Sequence, residues 1–231
     1  MKPKIAVLAS GGGTTVDAFI RADQRHEIKV VVDLIICSRQ NAGVFQRIAV
    51  INQEFGLDIP CVLINHKTHP PSKDEELIRG RQTAAEEQAI LTILKNGNYD
   101  LIALMGYMRR LGPNLIKAYG WLPSYTSVFQ AKMVNTHPGL LPDTKGFFGT
   151  EIQAYVLEHH LPYGGQTLHV VSEHYDEGPI IAEHKVAVEP DDTPDSLFAR
   201  VQATEKRYLP KDIENFINAR QAYNLSERGG R

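Results

Sequence analysis

Short apolar runs recur along the first part of the chain, and segments with helical spacing or composition separate them. Runs of this kind are typical of strands that are buried on both faces of a parallel sheet. The predicted strands are residues 5–9, 30–37, 61–64, 101–105 and 133–136. Because strands and helices alternate, the pattern predicts an α/β fold with a doubly wound, mainly parallel sheet and helices on both faces.

The hydrophobic pattern changes after residue 160. Residues 166–172 and 180–188 partly alternate between apolar and polar positions, which is typical of antiparallel strands. The sequence contains no internal repeat, low-complexity block or linker, so we predict one domain over residues 1–222. A disordered tail is predicted for residues 223–231.

Composition and capping signals place two further helices. Residues 74–94 are rich in Ala, Glu and Leu, which predicts a long surface helix. Thr193 supplies an N-cap and Pro194 the first position of the last helix. This helix is predicted to run to about Ala219, with a break near Pro210 because proline lacks a backbone N–H group.

Composition and charge exclude several classes of protein. The chain has 231 residues and a formal net charge of -2, which argues against binding to nucleic acid by charge neutralisation alone. No apolar run approaches the roughly 20 residues of a membrane helix, and the N-terminal run is too short for a signal peptide. Cys37 and Cys61 match neither a disulfide framework nor a paired metal motif. We therefore expect a reduced, cytoplasmic protein that binds neither nucleic acid nor a membrane.

Unusual stretches follow three of the predicted strands. The glycine-rich residues 10–15 follow the first strand, residues 106–110 follow the fourth, and Asn135 and His137 lie at the end of the fifth. In open α/β sheets, ligands bind beyond the carboxyl ends of the strands. We therefore expect the three stretches to meet in one crevice.

The glycine loop consists of Gly11, Gly12, Gly13, Thr14 and Thr15 at the start of the first helix. Glycines let the backbone approach a ligand closely, and the free N–H groups and threonine hydroxyls at a helix start favour an anion. The loop lacks the lysine of a P-loop and the third glycine of a dinucleotide-binding fingerprint. It predicts a monophosphate site, and a plain tight turn between strand and helix is the alternative.

Asn135, His137 and Asp176 are the candidate catalytic residues. Residues two apart along a strand point to the same side, so Asn135 and His137 can face one reacting centre. An asparagine amide can stabilise an oxyanion, and histidine transfers protons near neutral pH. Asp176 is the candidate carboxylate that orients the histidine and favours its charged form. The alternative is a strand-end turn with an incidental histidine and an ordinary turn aspartate.

Other polar residues are weaker candidates. His66 and His69 lie in a proline-rich stretch, so no metal site is expected there. Arg109 and Arg110 are compatible with a ligand contact or with a solvated basic step.

Three stretches resemble motifs of the phosphoribosylglycinamide formyltransferases, a family of folate-dependent formyltransferases. NTHPGLLPDTKG resembles the family's Asn-x-His-Pro-x-Leu-Leu-Pro signature, and YDEGPII resembles its Asp-x-Gly-Pro-Ile segment. LMGYMRRLGP is similar to the stretch that receives the folate. The similarity extends over nearly the whole chain and implies a Rossmann-like formyltransferase fold.

The resemblance implies an enzyme of de novo purine synthesis. Such an enzyme transfers a formyl group from 10-formyltetrahydrofolate to the amine of glycinamide ribonucleotide, by direct attack through a tetrahedral intermediate. Asn135, His137 and Asp176 match the catalytic residues, with His137 protonated and Asp176 supporting its charge. Both partners are small molecules, no metal is implied, and a monomer or homodimer is expected.

The same resemblance implies two binding regions. The residues expected at the folate are Lys73, Met108, Arg109, Arg110, Leu111 and Asn135. The residues expected at the ribonucleotide are Gly13, Thr14 and Thr15 for its phosphate, together with Gly11, Gly12, Gln202 and Glu205.

The chain departs from the family pattern at several positions. Thr14 and Thr15 replace a usual Ser-Asn pair, Gly139 replaces a usual serine, and residues 146–149 lack the histidines often found there. Residues 119–132 form a longer segment than expected. An N-formyltransferase of amino-sugar nucleotides is therefore an alternative, and a non-catalytic folate- or phosphate-binding module is another. A methionyl-tRNA formyltransferase or a formyltetrahydrofolate hydrolase would be expected to carry an additional domain.

Overall fold

Seven strands form one sheet in the computed structural model, which describes residues 1–229. In chain order the strands are β1 (Lys4–Ala9), β2 (Val31–Cys37), β3 (Cys61–Leu63), β4 (Leu101–Leu104), β5 (Met133–His137), β6 (Tyr163–Val170) and β7 (Ile180–Ala187). Their order across the sheet is β3-β2-β1-β4-β5-β6-β7. The first five strands pair in parallel, whereas β6 and β7 are antiparallel to their neighbours. The predicted fold class is therefore confirmed.

Helices cover both faces of the sheet. They are α1 (Thr14–Gln24), α2 (Val44–Phe55), α3 (Ala84–Gly97), α4 (Pro113–Tyr119), α5 (Thr150–Glu158) and α6 (Pro194–Gly229), with a short 3₁₀ helix at Val128–Gln130. Alternate residues of β1 enter different hydrophobic clusters, with Ile5 and Val7 on one face and Ala6 and Leu8 on the other. This burial on both faces explains why the central strands are continuous apolar runs.

The helix predicted for residues 74–94 begins later than expected. Residues 74–83 form a loop, and α3 starts after Thr83. Thr83 and Glu86 make a capping box, in which the Thr83 hydroxyl accepts from the Glu86 N–H and the Glu86 carboxylate accepts from the Thr83 N–H. Gly80 lies before this cap with φ +82°, a left-handed conformation that does not continue a helix. Composition alone therefore placed the start of this helix wrongly.

The last helix differs from its prediction at two places. It passes through Pro210 without a break and continues to Gly229, across residues 223–229 of the predicted disordered tail. Leu209 and Ile213 are buried on either side of Pro210, so packing against the sheet holds the helix there. Residues 230–231 of the predicted tail lie outside the described residues.

The long segment 119–132 supports this helix. Its 3₁₀ helix places the Phe129 ring 5.6 Å from the ring of Phe216 and 5.9 Å from that of Tyr223. Arg220 Nε donates a hydrogen bond of 2.9 Å to the carbonyl oxygen of Ala131. The additional length of this segment therefore contacts the C-terminal half of α6.

Within residues 1–229, no helix is both long enough and apolar enough to cross a membrane.

The glycine loop between β1 and α1 has a shape that depends on one of its three glycines. Gly13 has φ +71°, and a Cβ atom there would lie 2.6 Å from Cγ2 of Val44. At Gly11, by contrast, no heavy atom of the described chain lies within 4 Å of an added Cβ. Gly13 is therefore needed both for its positive φ and for its close packing against Val44.

We expect Gly13→Ala to lower the free energy of unfolding by about 2 kcal/mol or more, because a side chain is strained at positive φ and would clash with Val44. The matched control Gly11→Ala should change it by less than about 0.5 kcal/mol. Urea unfolding followed by circular dichroism measures both. Equal losses in the two variants would contradict this account of the loop.

Candidate active site

Two clefts meet at the carboxyl ends of the central strands. The glycine-loop cleft has a volume of about 290 Å³ and is lined by the glycine loop, the end of β5 and one side of α6. The apolar cleft lies beside it and is lined by hydrophobic side chains of β4, α4 and the segments after β4 and β6. Asn135 and Asp176 line both clefts. Groups held in the two clefts can therefore meet at these side chains.

Asn135 is held by a histidine that the sequence analysis did not single out. Asn135 on β5 pairs with His169 on β6, and its Nδ2 atom lies 3.0 Å from His169 Nε2. His169 Nδ1 lies 3.0 Å from the carbonyl oxygen of Val170, which can only accept a hydrogen bond. His169 thus donates from Nδ1 to Val170, and its Nε2 atom faces the Asn135 amide. This contact orients the amide of Asn135.

The tautomer of His137 is fixed in a similar way by Thr144. His137 Nε2 lies 3.1 Å from the Thr144 carbonyl oxygen and 3.0 Å from its Oγ1 atom. The Thr144 hydroxyl donates to the carbonyl oxygen of Leu140 at 2.9 Å, so it accepts from the ring. His137 therefore donates from Nε2, and its Nδ1 atom lies 3.7 Å from Oδ2 of Asp176.

Gly139 makes room for this arrangement. A Cβ atom at Gly139 would lie 2.2 Å from Oγ1 of Thr144. Gly139 therefore allows the close approach of Thr144, the residue that fixes the His137 ring.

Asp176 lies between the two histidines in a strained backbone conformation. Its φ is +56°, and its Oδ1 atom lies 3.5 Å from His169 Nε2. The Gly146 N–H donates to Oδ2 at 3.3 Å. Burial alone would raise the pKa of Asp176, but its contacts with His169 and with the Gly146 N–H hold it below its usual range. Asp176 is therefore a buried, ionised carboxylate, and positive φ in a non-glycine residue is frequent at functional sites.

Burial affects the titration of His137. It lowers the pKa of the His137 imidazole, and the opposing effect of Asp176, 3.7 Å away, does not overcome it. This shift favours the unprotonated ring. The expectation that a protonated His137 stabilises the oxyanion during the reaction stays a prediction.

The glycine loop presents backbone N–H groups to its cleft. The first helical hydrogen bond of α1 runs from the Asp17 N–H to the Gly13 carbonyl oxygen, which leaves the earlier N–H groups of the turn for a ligand. Thr15 Oγ1 donates to Glu205 Oε2 at 3.1 Å, and Thr136 Oγ1 donates to Glu205 Oε1 at 2.7 Å. The Thr15 hydroxyl proton is therefore committed to Glu205. Burial raises the pKa of that carboxyl, although both hydroxyls oppose the shift.

Gln202 and Glu205 on α6 both line the glycine-loop cleft, as does Met108. Phe147 and Phe148 line the same cleft and are partly exposed, at the positions where the family often has histidines. The rim of this cleft is thus apolar.

The remaining residues expected at the folate separate into three groups. Arg109 Nη2 lies 2.7 Å from Glu86 Oε2 and also donates to the carbonyl oxygen of Arg81, so its guanidinium is used within the protein. Arg109, Arg110 and Leu111 all line the apolar cleft, and Arg110 is exposed. Lys73 is exposed, and the described residues that line the two clefts do not include it.

Among residues 1–229, no group of three or more His, Cys, Asp or Glu side chains is arranged to hold a metal ion.

Known proteins with similar sequences and structures include phosphoribosylglycinamide formyltransferases. A family model described as formyl transferase matches residues 3–213. The chain is 29% identical over 214 residues to phosphoribosylglycinamide formyltransferase of Bacillus subtilis, covering 93% of this chain and 94% of that protein. It is 29% identical over 228 residues to the trifunctional purine biosynthetic protein adenosine-3 of Bos taurus, covering 99% of this chain but 19% of that protein. The crystal structure of phosphoribosylglycinamide formyltransferase from Bacillus halodurans matches with 30% identity and a TM-score of 0.73, covering 93% of this chain and 95% of that one.

The environment of His137 leads to a test of its charge state. Asp176→Asn removes the negative charge that favours the imidazolium, so we expect the pKa of His137, already below its ordinary value, to fall further. Titration of the ¹⁵N-labelled imidazole by NMR measures both proteins. Glu177→Gln is the control, because Glu177 lies in the same turn but its carboxylate pairs with Lys145 at the surface. A pKa of His137 that rises or stays constant in Asp176→Asn would contradict the interaction.

Proposed function

Because the chain belongs to the formyl transferase family, we propose that it transfers a formyl group from 10-formyltetrahydrofolate to the amine of glycinamide ribonucleotide. The observation that carries the proposal is the meeting of two clefts at Asn135 and Asp176, beside His137. One cleft offers backbone N–H groups to an anion, and the other offers apolar walls to a ring system. A two-substrate transfer needs such a junction.

The acceptor fits the glycine-loop cleft. A helix N-terminus with free N–H groups favours a phosphate, so the phosphate of the ribonucleotide is placed at Gly13, Thr14 and Thr15. Gln202 and Glu205 line the same cleft on the side of α6, where the ribose hydroxyls can hydrogen-bond. This placement directs the amine toward the end of β5, where His137 lies.

The apolar cleft, with a volume of about 50 Å³, is the proposed binding region for the folate ring. Its walls are formed by Leu104, Leu111, Ile116 and Val171, and Arg110 lines its edge. A flat, partly polar ring can bury its faces against such walls while its edge reaches polar groups. Arg109 also lines this cleft, and its ion pair with Glu86 joins the segment after β4 to the start of α3.

The residues at the junction can perform the proton transfers of this reaction. The folate supplies the formyl carbon that the amine attacks and the nitrogen that departs. The Asn135 amide, oriented by His169, donates a hydrogen bond to the oxygen that becomes negative. His137 is neutral with its lone pair on Nδ1, so it can accept the amine proton and return it to the departing nitrogen. Asp176 stabilises the imidazolium that exists between these two steps.

The acceptor assignment predicts a strong dependence on phosphate. Glycinamide ribonucleotide should be used with a kcat/KM at least roughly a hundredfold higher than the dephosphorylated riboside, which is the scale of losing one or two charge-assisted hydrogen bonds. Release of tetrahydrofolate measures the rate with each acceptor.

A panel of amino-sugar nucleotides completes this experiment. Equal use of riboside and ribonucleotide would contradict the phosphate site, and a higher kcat/KM with an amino-sugar nucleotide would replace the proposed acceptor. Absence of any turnover in a single-turnover assay, with both proposed substrates bound, would indicate a non-catalytic binding module.

A further inference from the structure

Helix α2 forms a support under the glycine loop. The Val44 N–H donates to the carbonyl oxygen of Gly11 at 3.2 Å, and Arg47 Nε donates to the carbonyl oxygen of Gly12 at 2.8 Å. Gly13 in turn lies so close to Val44 that it has no room for a Cβ atom. Val44 thus contacts Gly11 and Gly13, and Arg47 contacts Gly12. All three glycines are therefore held by residues in the first turn of α2.

The contact with Gly12 bears most directly on anion binding. The carbonyl of Gly12 and the N–H of Gly13 belong to one planar trans peptide, so they point in opposite directions. Arg47 lines a separate cavity of about 310 Å³ that shares Gly12 with the glycine-loop cleft. By holding the Gly12 carbonyl toward this cavity, Arg47 directs the Gly13 N–H to the other side of the loop.

The same guanidinium also pairs with a carboxylate near the anion site. Arg47 Nη1 lies 3.0 Å from Oδ2 of Asp17, which belongs to the first turn of α1. Arg21 lies 2.6 Å from the other oxygen of Asp17 and makes two further hydrogen bonds to Glu54. Two arginines therefore compensate a carboxylate that would otherwise repel an anion, but only Arg47 also contacts the loop.

We propose that Arg47 is a positioning residue for the acceptor: by holding the Gly12 carbonyl, it fixes the glycine loop in the conformation that binds the phosphate. This inference rests on the proposed function, since it concerns the same phosphate site. Arg47 does not line the glycine-loop cleft, so it acts through the loop backbone and not by touching the substrate.

The test compares two arginines that share Asp17. Arg47→Ala should raise the KM for glycinamide ribonucleotide about tenfold, the effect of one charged hydrogen bond, while kcat and the KM for 10-formyltetrahydrofolate change less than about twofold. Arg21→Ala is the matched control: the side chains are 38% and 33% exposed, and Arg21 does not contact the loop in the described structure. Its KM for the ribonucleotide should stay within about twofold.

Arg47→Lys keeps the positive charge but not the fork that reaches Gly12 and Asp17 together, so it should recover only part of the KM. This variant also serves if Arg47→Ala does not fold. An unchanged KM in Arg47→Ala, an equal effect in Arg21→Ala, or full recovery by lysine would overturn the inference.

If the unmodified protein uses riboside and ribonucleotide equally, the proposed phosphate site is wrong and the inference about Arg47 is wrong with it. If Arg47→Ala prefers the ribonucleotide over the riboside as strongly as the unmodified protein does, only the role of Arg47 is overturned, and the phosphate site stands.

Discussion

The carboxylate of Asp176 is buried between the imidazole rings of His137 and His169, which belong to two neighbouring strands. A buried carboxylate is costly unless charged or polar groups compensate it. The turn that presents it is therefore tightly constrained: Asp176 has positive φ, and a Cβ atom at Gly178 would lie 1.6 Å from the carbonyl oxygen of Val170. Asp176 thus lies within 3.7 Å of both rings, and His169 in turn contacts Asn135.

This arrangement assigns different tasks to two similar histidines. His169 is engaged at both ring nitrogens, by Val170 and Asn135, so it serves to orient the amide. His137 uses only Nε2 for its structural contact with Thr144, and its Nδ1 atom lies 3.7 Å from Oδ2 of Asp176, a residue that lines both clefts. Burial lowers the pKa of this ring and so favours the unprotonated form, which suits a group that must accept a proton before it donates one. The contacts that hold the two histidines in the fold are thus also the contacts that prepare them for the proposed reaction.

Local sequence patterns predicted much of the fold. Buried strands appear as short apolar runs in the sequence, and the loops at their ends appear as stretches of glycine, proline and polar residues. The parallel strands, the capped start of α6 and the strand ends that meet at the crevice are of this kind. Tertiary contacts determined the rest. The helix continues through Pro210 because buried residues hold both sides, and His169 becomes visible only once the register of β5 against β6 is known. The ion pair of Arg109 with Glu86 joins residues 23 apart, and no local pattern indicates it.

The central claim is that Asp176 acts through His137, and a double-mutant cycle on kcat tests it most directly. Asp176→Asn and His137→Ala should each lower kcat by about two to four orders of magnitude, the scale of losing a positioned acid–base group. If the two residues act as one unit, the double variant should be little slower than the slower single variant. If the two losses multiply in the double variant, each side chain acts independently, and the account of Asp176 as the support of His137 is contradicted.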